Sequence, residues 1–131
     1  MKILLIDAVD TLISSDVDYN IESRSLNKEL ADFLATRNIF VVVTSNAFGD
    51  KGKKVRDLLS PYSFQFFSLD NRPAKTDPAY FVHLLGYYGF DPADCFTLDH
   101  KQENLDSAKT VWIEGELFLN TTQAIEFLNN L

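Results

Sequence analysis

Four stretches of the chain place carboxylates, hydroxyls, an amide or a lysine directly beyond a short apolar run or before a helix start. Asp7 follows residues 3–6, with Asp10 and Thr11 just after it. Thr44, Ser45 and Asn46 close the run at 39–43, and Lys75 precedes Thr76–Asp77–Pro78. Asp99 and His100 follow residues 95–98, with Lys101, Glu103 and Asn104 beyond. A nucleophilic carboxylate, a donor for the transferred group's oxygens, a charge-neutralising lysine and a metal-binding acid are the parts of a phosphoryl-transfer site. They cooperate only if the fold brings these segment ends to one place.

The periodicity predicts such a fold. The short apolar runs at 3–6 and 39–43 are uninterrupted and read as strands buried on both faces, and 64–69, 95–98 and 111–113 read as three further strands. Between them lie helical patterns. Residues 25–37 carry Leu26, Leu30, Phe33 and Leu34 at helical spacing, with Ser25 as the expected N-cap. Residues 50–59 set Val55, Leu58 and Leu59 opposite Lys51, Lys53, Lys54 and Arg56. A third helix opens at Asp77–Pro78, where the missing proline N–H costs nothing, and ends at Gly89. Residues 102–109 and 122–131 are two more helices, and residues 14–23 read as a loop or small flap. Alternating strands and helices give an α/β class with a parallel sheet covered on both faces. In such sheets ligands bind beyond the carboxyl ends of the strands.

Composition narrows the classes further. A chain of 131 residues suits one domain, 1–131, and 46% apolar with 13% aromatic residues supplies a core. The formal charge of −7 argues against nucleic-acid or anionic-membrane partners. A single cysteine, Cys95, excludes a disulfide framework and a multi-cysteine zinc site, and reads as an inert strand residue. The apolar run at 3–6 is too short for a signal peptide or a membrane span, so a cytoplasmic protein is expected. Trp112 and the phenylalanines read as core, His83 as a helix-surface residue. Asn46 and Asp77 have structural readings as a turn residue and an N-cap. The lysine cluster at 51–56 is either a solvated helix face or an attractor of anionic substrate.

The order of these segments resembles the haloacid dehalogenase-like (HAD) hydrolase superfamily over most of the chain. The motifs are Leu5–Ile6–Asp7–Ala8–Val9–Asp10–Thr11–Leu12, then Val42–Val43–Thr44–Ser45–Asn46, then Lys75–Thr76–Asp77–Pro78 with Phe81. The fourth is Phe96–Thr97–Leu98–Asp99–His100–Lys101–Gln102–Glu103–Asn104, followed by Ala108. The resemblance implies a three-layer α/β/α Rossmann-like fold with a five-stranded parallel sheet in the order 5-4-1-2-3. It implies Asp7 as nucleophile, forming an aspartyl-phosphate, and Lys75 as the lysine that neutralises the phosphoryl oxygens. Thr44 is implied as the hydroxyl that binds the transferred group, with Ser45 as the alternative one residue later; Ser45 and Asn46 fall in the substrate-binding stretch. Magnesium is implied, held by Asp7, the main-chain carbonyl of Val9, Asp99 and His100.

Two residues depart from that pattern. Val9 stands where the family usually has an aspartate as general acid–base. His100 stands where a direct carboxylate ligand is usual; magnesium prefers oxygen, and zinc or manganese tolerates imidazole better. Without a general acid, acyl or aryl phosphates are favoured over alkyl esters. Spacing leaves no room for a cap domain, so the substrate is a phosphorylated macromolecule, or a small molecule covered by itself or by a second copy of the chain. The reading is a phosphatase-type hydrolase, the alternative a catalytically impaired relative with a binding or regulatory role. A receiver-type phospho-acceptor ranks last, because its acceptor should end a middle strand, not the first.

Overall fold

The computed structural model describes residues 2–14 and 25–131, so of the expected flap at 14–23 only Ser14 lies among the described residues. Five strands form the main sheet: β1 (Ile3–Asp7), β4 (Phe40–Ser45), β5 (Gln65–Ser68), β6 (Cys95–Asp99) and β7 (Glu114–Leu117). Two short strands, β2 (Ile13–Ser14) and β3 (Ser25–Leu26), pair antiparallel apart from it. The helices are α1 (Lys28–Ala35), α2 (Gly49–Leu59), α3 (Pro78–Tyr88), α4 (Gln102–Lys109) and α5 (Thr121–Asn129). None of the described helices is long and apolar enough to cross a membrane.

The main sheet runs β5-β4-β1-β6-β7, and each of its pairings is parallel. The expected order 5-4-1-2-3 counted five strands only and does not carry over as numbered. The chain makes two further strands, β2 and β3, and these shift the labels of every strand after the first.

β1 sits at the centre, buried at every residue, because its side chains feed both faces. Leu4 and Ile6 join Val41, Val43 and Leu98 under Leu30 and Leu34 of α1, Val55 of α2 and Leu128 of α5. Ile3 and Leu5 join Val42 and Cys95 under Tyr80, Phe81 and Leu84 of α3 and Ala108 of α4. An uninterrupted apolar run is what a strand covered by helices on both faces requires.

Three local expectations are corrected. The first helix starts at Lys28, not Ser25, because Ser25 and Leu26 pair with Ser14 and Ile13, and Asn27 caps instead, its Oδ1 accepting from Leu30 N at 3.2 Å. The last strand is at Glu114–Leu117, not 111–113, because residues 111–113 turn the chain out of α4. The Val111 and Ile113 N–H groups both donate to Ala108 O, and Trp112 takes a left-handed φ of 71°. Trp112 is consequently 82% exposed rather than core. β7 is an edge strand of polar and apolar residues, so it lacks the continuous apolar signal of the inner strands.

β7 also explains a glycine. A Cβ on Gly115 would collide with the Thr97 hydroxyl and lie 2.9 Å from Leu105 Cδ2 and 3.1 Å from the Thr97 carbonyl oxygen. Gly115→Ala is expected to lower folding stability by about 1–3 kcal/mol through overpacking, read from urea denaturation midpoints.

Candidate active site

The register of the sheet assembles the site. Asp7 pairs with Thr44 across β1 and β4, and Ile6 with Leu98 across β1 and β6, so Asp7, Thr44 and Asp99 reach the same carboxyl edge. Lys75 arrives from the loop before α3. Its backbone N–H donates to Asn46 Oδ1 at 2.8 Å, tying that loop to the end of β4. Asp77 then starts α3, its Oδ1 accepting from Ala79 N at 2.9 Å, with Pro78 in the first turn. Further along α3, the Tyr80 hydroxyl donates to Phe67 O at 2.6 Å and accepts from Ser45 N at 3.2 Å, bracing the ends of β4 and β5.

The Lys75 side chain is buried, with Nζ 2.5 Å from Asp7 Oδ1, 2.9 Å from Asp99 Oδ2 and 3.5 Å from Thr44 O. Asp7 Oδ2 accepts from Thr11 Oγ1 at 3.0 Å and faces His100 Nδ1 at 2.5 Å. Thr11 is brought there by a tight turn after β1 in which Ile13 N donates to Ala8 O and Asp10 adopts a φ of 72°. Asp99 Oδ1 accepts from Lys101 N at 2.9 Å, and its Oδ2 also accepts from Asn104 Nδ2 at 3.1 Å. All four carboxylate oxygens of Asp7 and Asp99 thus accept from protein donors.

Burial alone would raise the Asp7 carboxyl, but the Lys75 charge and the His100 and Lys75 hydrogen bonds outweigh it and hold it below the usual carboxylate range. Burial and the Asp7 charge push Asp99 the other way, upward, against the pull of Lys75. Burial opposes the Lys75 ammonium, yet the two aspartates hold its pKa above the ordinary lysine value. The hydrogen bond to Asp7 raises His100 above the usual imidazole value, against partial burial and with help from Asp99 and Asp10. A carboxylate kept ionised while buried is the state a nucleophile needs.

Above this centre lies a pocket of roughly 230 Å³, lined among others by Asp7, Val9, Ser45, Asn46, Lys51, Lys75, His100 and Lys101. The structure therefore gathers Asp7, Lys75, Ser45, Asn46, Asp99 and His100 around one site. Thr44 is buried and is not among the residues lining the pocket; its carbonyl rather than its hydroxyl meets Lys75. Ser45 lines the pocket, and its Oγ accepts from Ala47 N at 2.9 Å. The side-chain oxygen of Asn46 is engaged with the Lys75 backbone. Val9 reaches the pocket with a side chain that has no proton to give.

The lysine cluster divides. Lys51 borders the pocket, Lys53 pairs with Asp57 at 3.6 Å on an exposed helix face, and the Arg56 guanidinium lies over the Phe66 ring at 5.6 Å. Cys95 is buried, its thiol pushed up to about 12 chiefly by burial, which agrees with an inert role. The sequence reading gives Tyr80 no role in the site and leaves Thr11 open between capping the turn after β1 and a catalytic role. A hydroxyl four residues beyond the nucleophile, and a tyrosine three residues beyond a Lys–x–Asp–Pro helix start, were the available signals.

One ligand atom each from Asp7, Asp99 and His100 lie within 4.8 Å of one another, a spacing compatible with a metal ion. The chemistry of this set does not fit magnesium. That ion takes about six oxygen ligands near 2.0–2.1 Å, whereas here one donor is an imidazole and the carboxylate oxygens are already engaged.

No protein-family profile and no curated protein matches the sequence. Solved structures do resemble the fold. A HAD family enzyme from Bacteroides thetaiotaomicron, in complex with magnesium and inorganic phosphate, is 16% identical with a TM-score of 0.74, over 89% of this chain and 93% of that one. An uncharacterised protein from Corynebacterium glutamicum is 16% identical with a TM-score of 0.76, over 99% and 93%. A predicted HAD-like family hydrolase from Porphyromonas gingivalis is 14% identical with a TM-score of 0.65, over 90% and 67%.

Proposed function

We propose that this chain, whose fold is that of the haloacid dehalogenase-like proteins, is a phosphatase-type hydrolase that works through an aspartyl-phosphate on Asp7. The observation that carries this reading is the buried Asp7 carboxylate, held ionised by Lys75 at 2.5 Å and opening onto a pocket bordered by Lys51 and Lys101.

In the first step an Asp7 oxygen attacks phosphorus while the bond to the leaving oxygen breaks, and the leaving group departs with that electron pair. Lys75 offsets charge on the transferred group, while the Asn46–Lys75 bond keeps the ammonium in register with the strand ends. Water then attacks phosphorus, cleaves the acyl-phosphate and releases inorganic phosphate with Asp7 restored. The order follows from the residue types, since a carboxylate attacks well only when a neighbouring cation spreads the developing charge.

Val9 gives the leaving oxygen no proton. General acid catalysis is worth about 10²–10⁴-fold, so groups that are already stable anions should leave best. Among the described residues no cap domain stands over the pocket at the sheet edge, which suits a phosphorylated macromolecule or a neighbouring subunit acting as cover. The similar Bacteroides enzyme, in complex with magnesium and inorganic phosphate, supports phosphate chemistry at the level of the fold.

The test compares acetyl phosphate and p-nitrophenyl phosphate with glycerol phosphate. Turnover of the first two is expected to exceed the third by roughly 100-fold or more. A second reading, a phosphate-binding protein without turnover, is favoured by the engagement of both Asp7 oxygens by Lys75, Thr11 and His100. Phosphate binding with no hydrolysis of any of the three compounds would select it.

A further inference from the structure

We propose that this centre holds a phosphate-type oxyanion without a divalent cation, with Lys75 and the His100 imidazole standing where metal charge would otherwise be needed and Asp10 steadying the ring. The proposal rests on the phosphate reading above and extends it to how the anion is held.

Four oxygen atoms belong to Asp7 and Asp99, and each already has a partner. Asp7 Oδ1 and Asp99 Oδ2 share the Lys75 ammonium at 2.5 and 2.9 Å. Asp7 Oδ2 takes Thr11 Oγ1 at 3.0 Å and His100 Nδ1 at 2.5 Å. Asp99 Oδ1 takes the Lys101 N–H at 2.9 Å, and Asn104 adds a second donor to Oδ2 at 3.1 Å. A cation entering here must displace donors from a buried network in which two carboxylates already face two basic side chains. Removing a buried charge's partner is costly, because the group left behind has no water to turn to.

The position of His100 makes the point sharper. Nδ1 lies between the two carboxylates, 2.5 Å from Asp7 and 3.5 Å from Asp99 Oδ1, while Nε2 is 3.8 Å from Asp10 Oδ2. The ring spans three acids and occupies the space next to Asp7 that an ion would have to enter. Asp10 keeps a left-handed φ of 72° there, held by its own N–H donating to Ile13 O at 2.7 Å. A non-glycine residue held in that region persists only where its surroundings demand it. Here the conformation sets a carboxylate behind the imidazole. Lys51 and Lys101 border the pocket to meet an oxyanion, and the Lys75 ammonium, engaged by the two aspartates, adds its charge from below.

The experiment uses the wild-type chain stripped with EDTA. Calorimetry first titrates it with magnesium, manganese and zinc, each alone, then with inorganic phosphate in EDTA and in the presence of each ion. The expected result is no one-equivalent metal binding at this centre, and phosphate affinity in EDTA equal to that with metal. Two results would overturn the proposal. One is phosphate binding that requires a metal. The other is one-equivalent metal binding that weakens about tenfold or more in His100→Gln, the size of loss expected for a lost ligand contact. Absence of phosphate binding under every condition is a separate outcome. It defeats the phosphate reading itself and this proposal with it, while the metal titration still shows whether an ion occupies the centre.

Discussion

Lys75→Met is expected to cost about 3–5 kcal/mol of folding stability near neutral pH, the range for removing one member of a buried charge network. The ammonium is shared by Asp7 and Asp99, all three side chains being buried. Methionine fills similar volume, so the loss comes from the two carboxylates left facing each other rather than from a cavity. Asp99, whose carboxyl is already pushed upward by burial and by Asp7, should respond by taking up a proton. The variant is therefore expected to recover part of its loss as pH falls and Asp99 takes up that proton. Adding Asp99→Asn to Lys75→Met should restore stability, because one anion is removed along with its cation. The singles and the double should then be strongly non-additive in urea denaturation. A cost below about 1 kcal/mol for Lys75→Met would mean that the pairing has the weak energetics of a surface salt bridge.

The second large effect concerns Asp7. Asp7→Asn is expected to lower hydrolysis of acetyl phosphate or p-nitrophenyl phosphate by roughly 10⁴-fold or more, as for removal of a covalent nucleophile. Acid quenching during turnover of a phosphorus-labelled substrate should trap labelled wild-type protein and unlabelled variant. The amide keeps the shape of the carboxylate but loses its charge, so Lys75 turns wholly to Asp99 and His100 to Asp99 and Asp10. Because the partners of Asp7 hold its carboxyl below the usual range, the wild-type contribution is present above an ordinary carboxylate pKa and fades as pH falls through the lower folded value. The stability cost of Asp7→Asn should accordingly be largest near neutral pH, at about 1–3 kcal/mol, and shrink in acid. Unchanged turnover in the folded variant would assign the chemistry to another residue.

Much of the architecture was legible in the sequence because its signals are local. A strand covered on both faces must be apolar at every position, and residues 3–6, 41–43 and 95–98 are close to that. The start of α3 at Asp77–Pro78 and its end at Gly89 follow from one side-chain cap, one missing N–H and one left-handed residue, all within a few positions. The chemistry at strand ends was legible for the same reason: an acid directly after a buried strand lies at the carboxyl edge whatever the rest of the chain does. Asp7 and Asp99 are identifiable on that basis, and Lys75 by its place ahead of the Asp77–Pro78 helix start, together with the family resemblance.

Other features depend on neighbours distant in sequence. Whether residues 25–26 continue a helix or pair with residues 13–14 is decided by the partner strand, and the pairing moved the helix cap from Ser25 to Asn27. Trp112 carries every local mark of a core residue, yet the turn leaving α4 points it into solvent. Thr44 and Ser45 are adjacent and chemically alike. Only the parallel register of β4 and the bracing hydroxyl of Tyr80 determine that Ser45 lines the pocket and Thr44 does not. Sequence named the charged residues of the centre, since Asp7 and Asp99 end their own strands and Lys75 directly precedes a helix start. Only the tertiary structure decided which oxygen meets which donor, because one ammonium reaching two carboxylates 24 and 68 residues away is a property of packing and register.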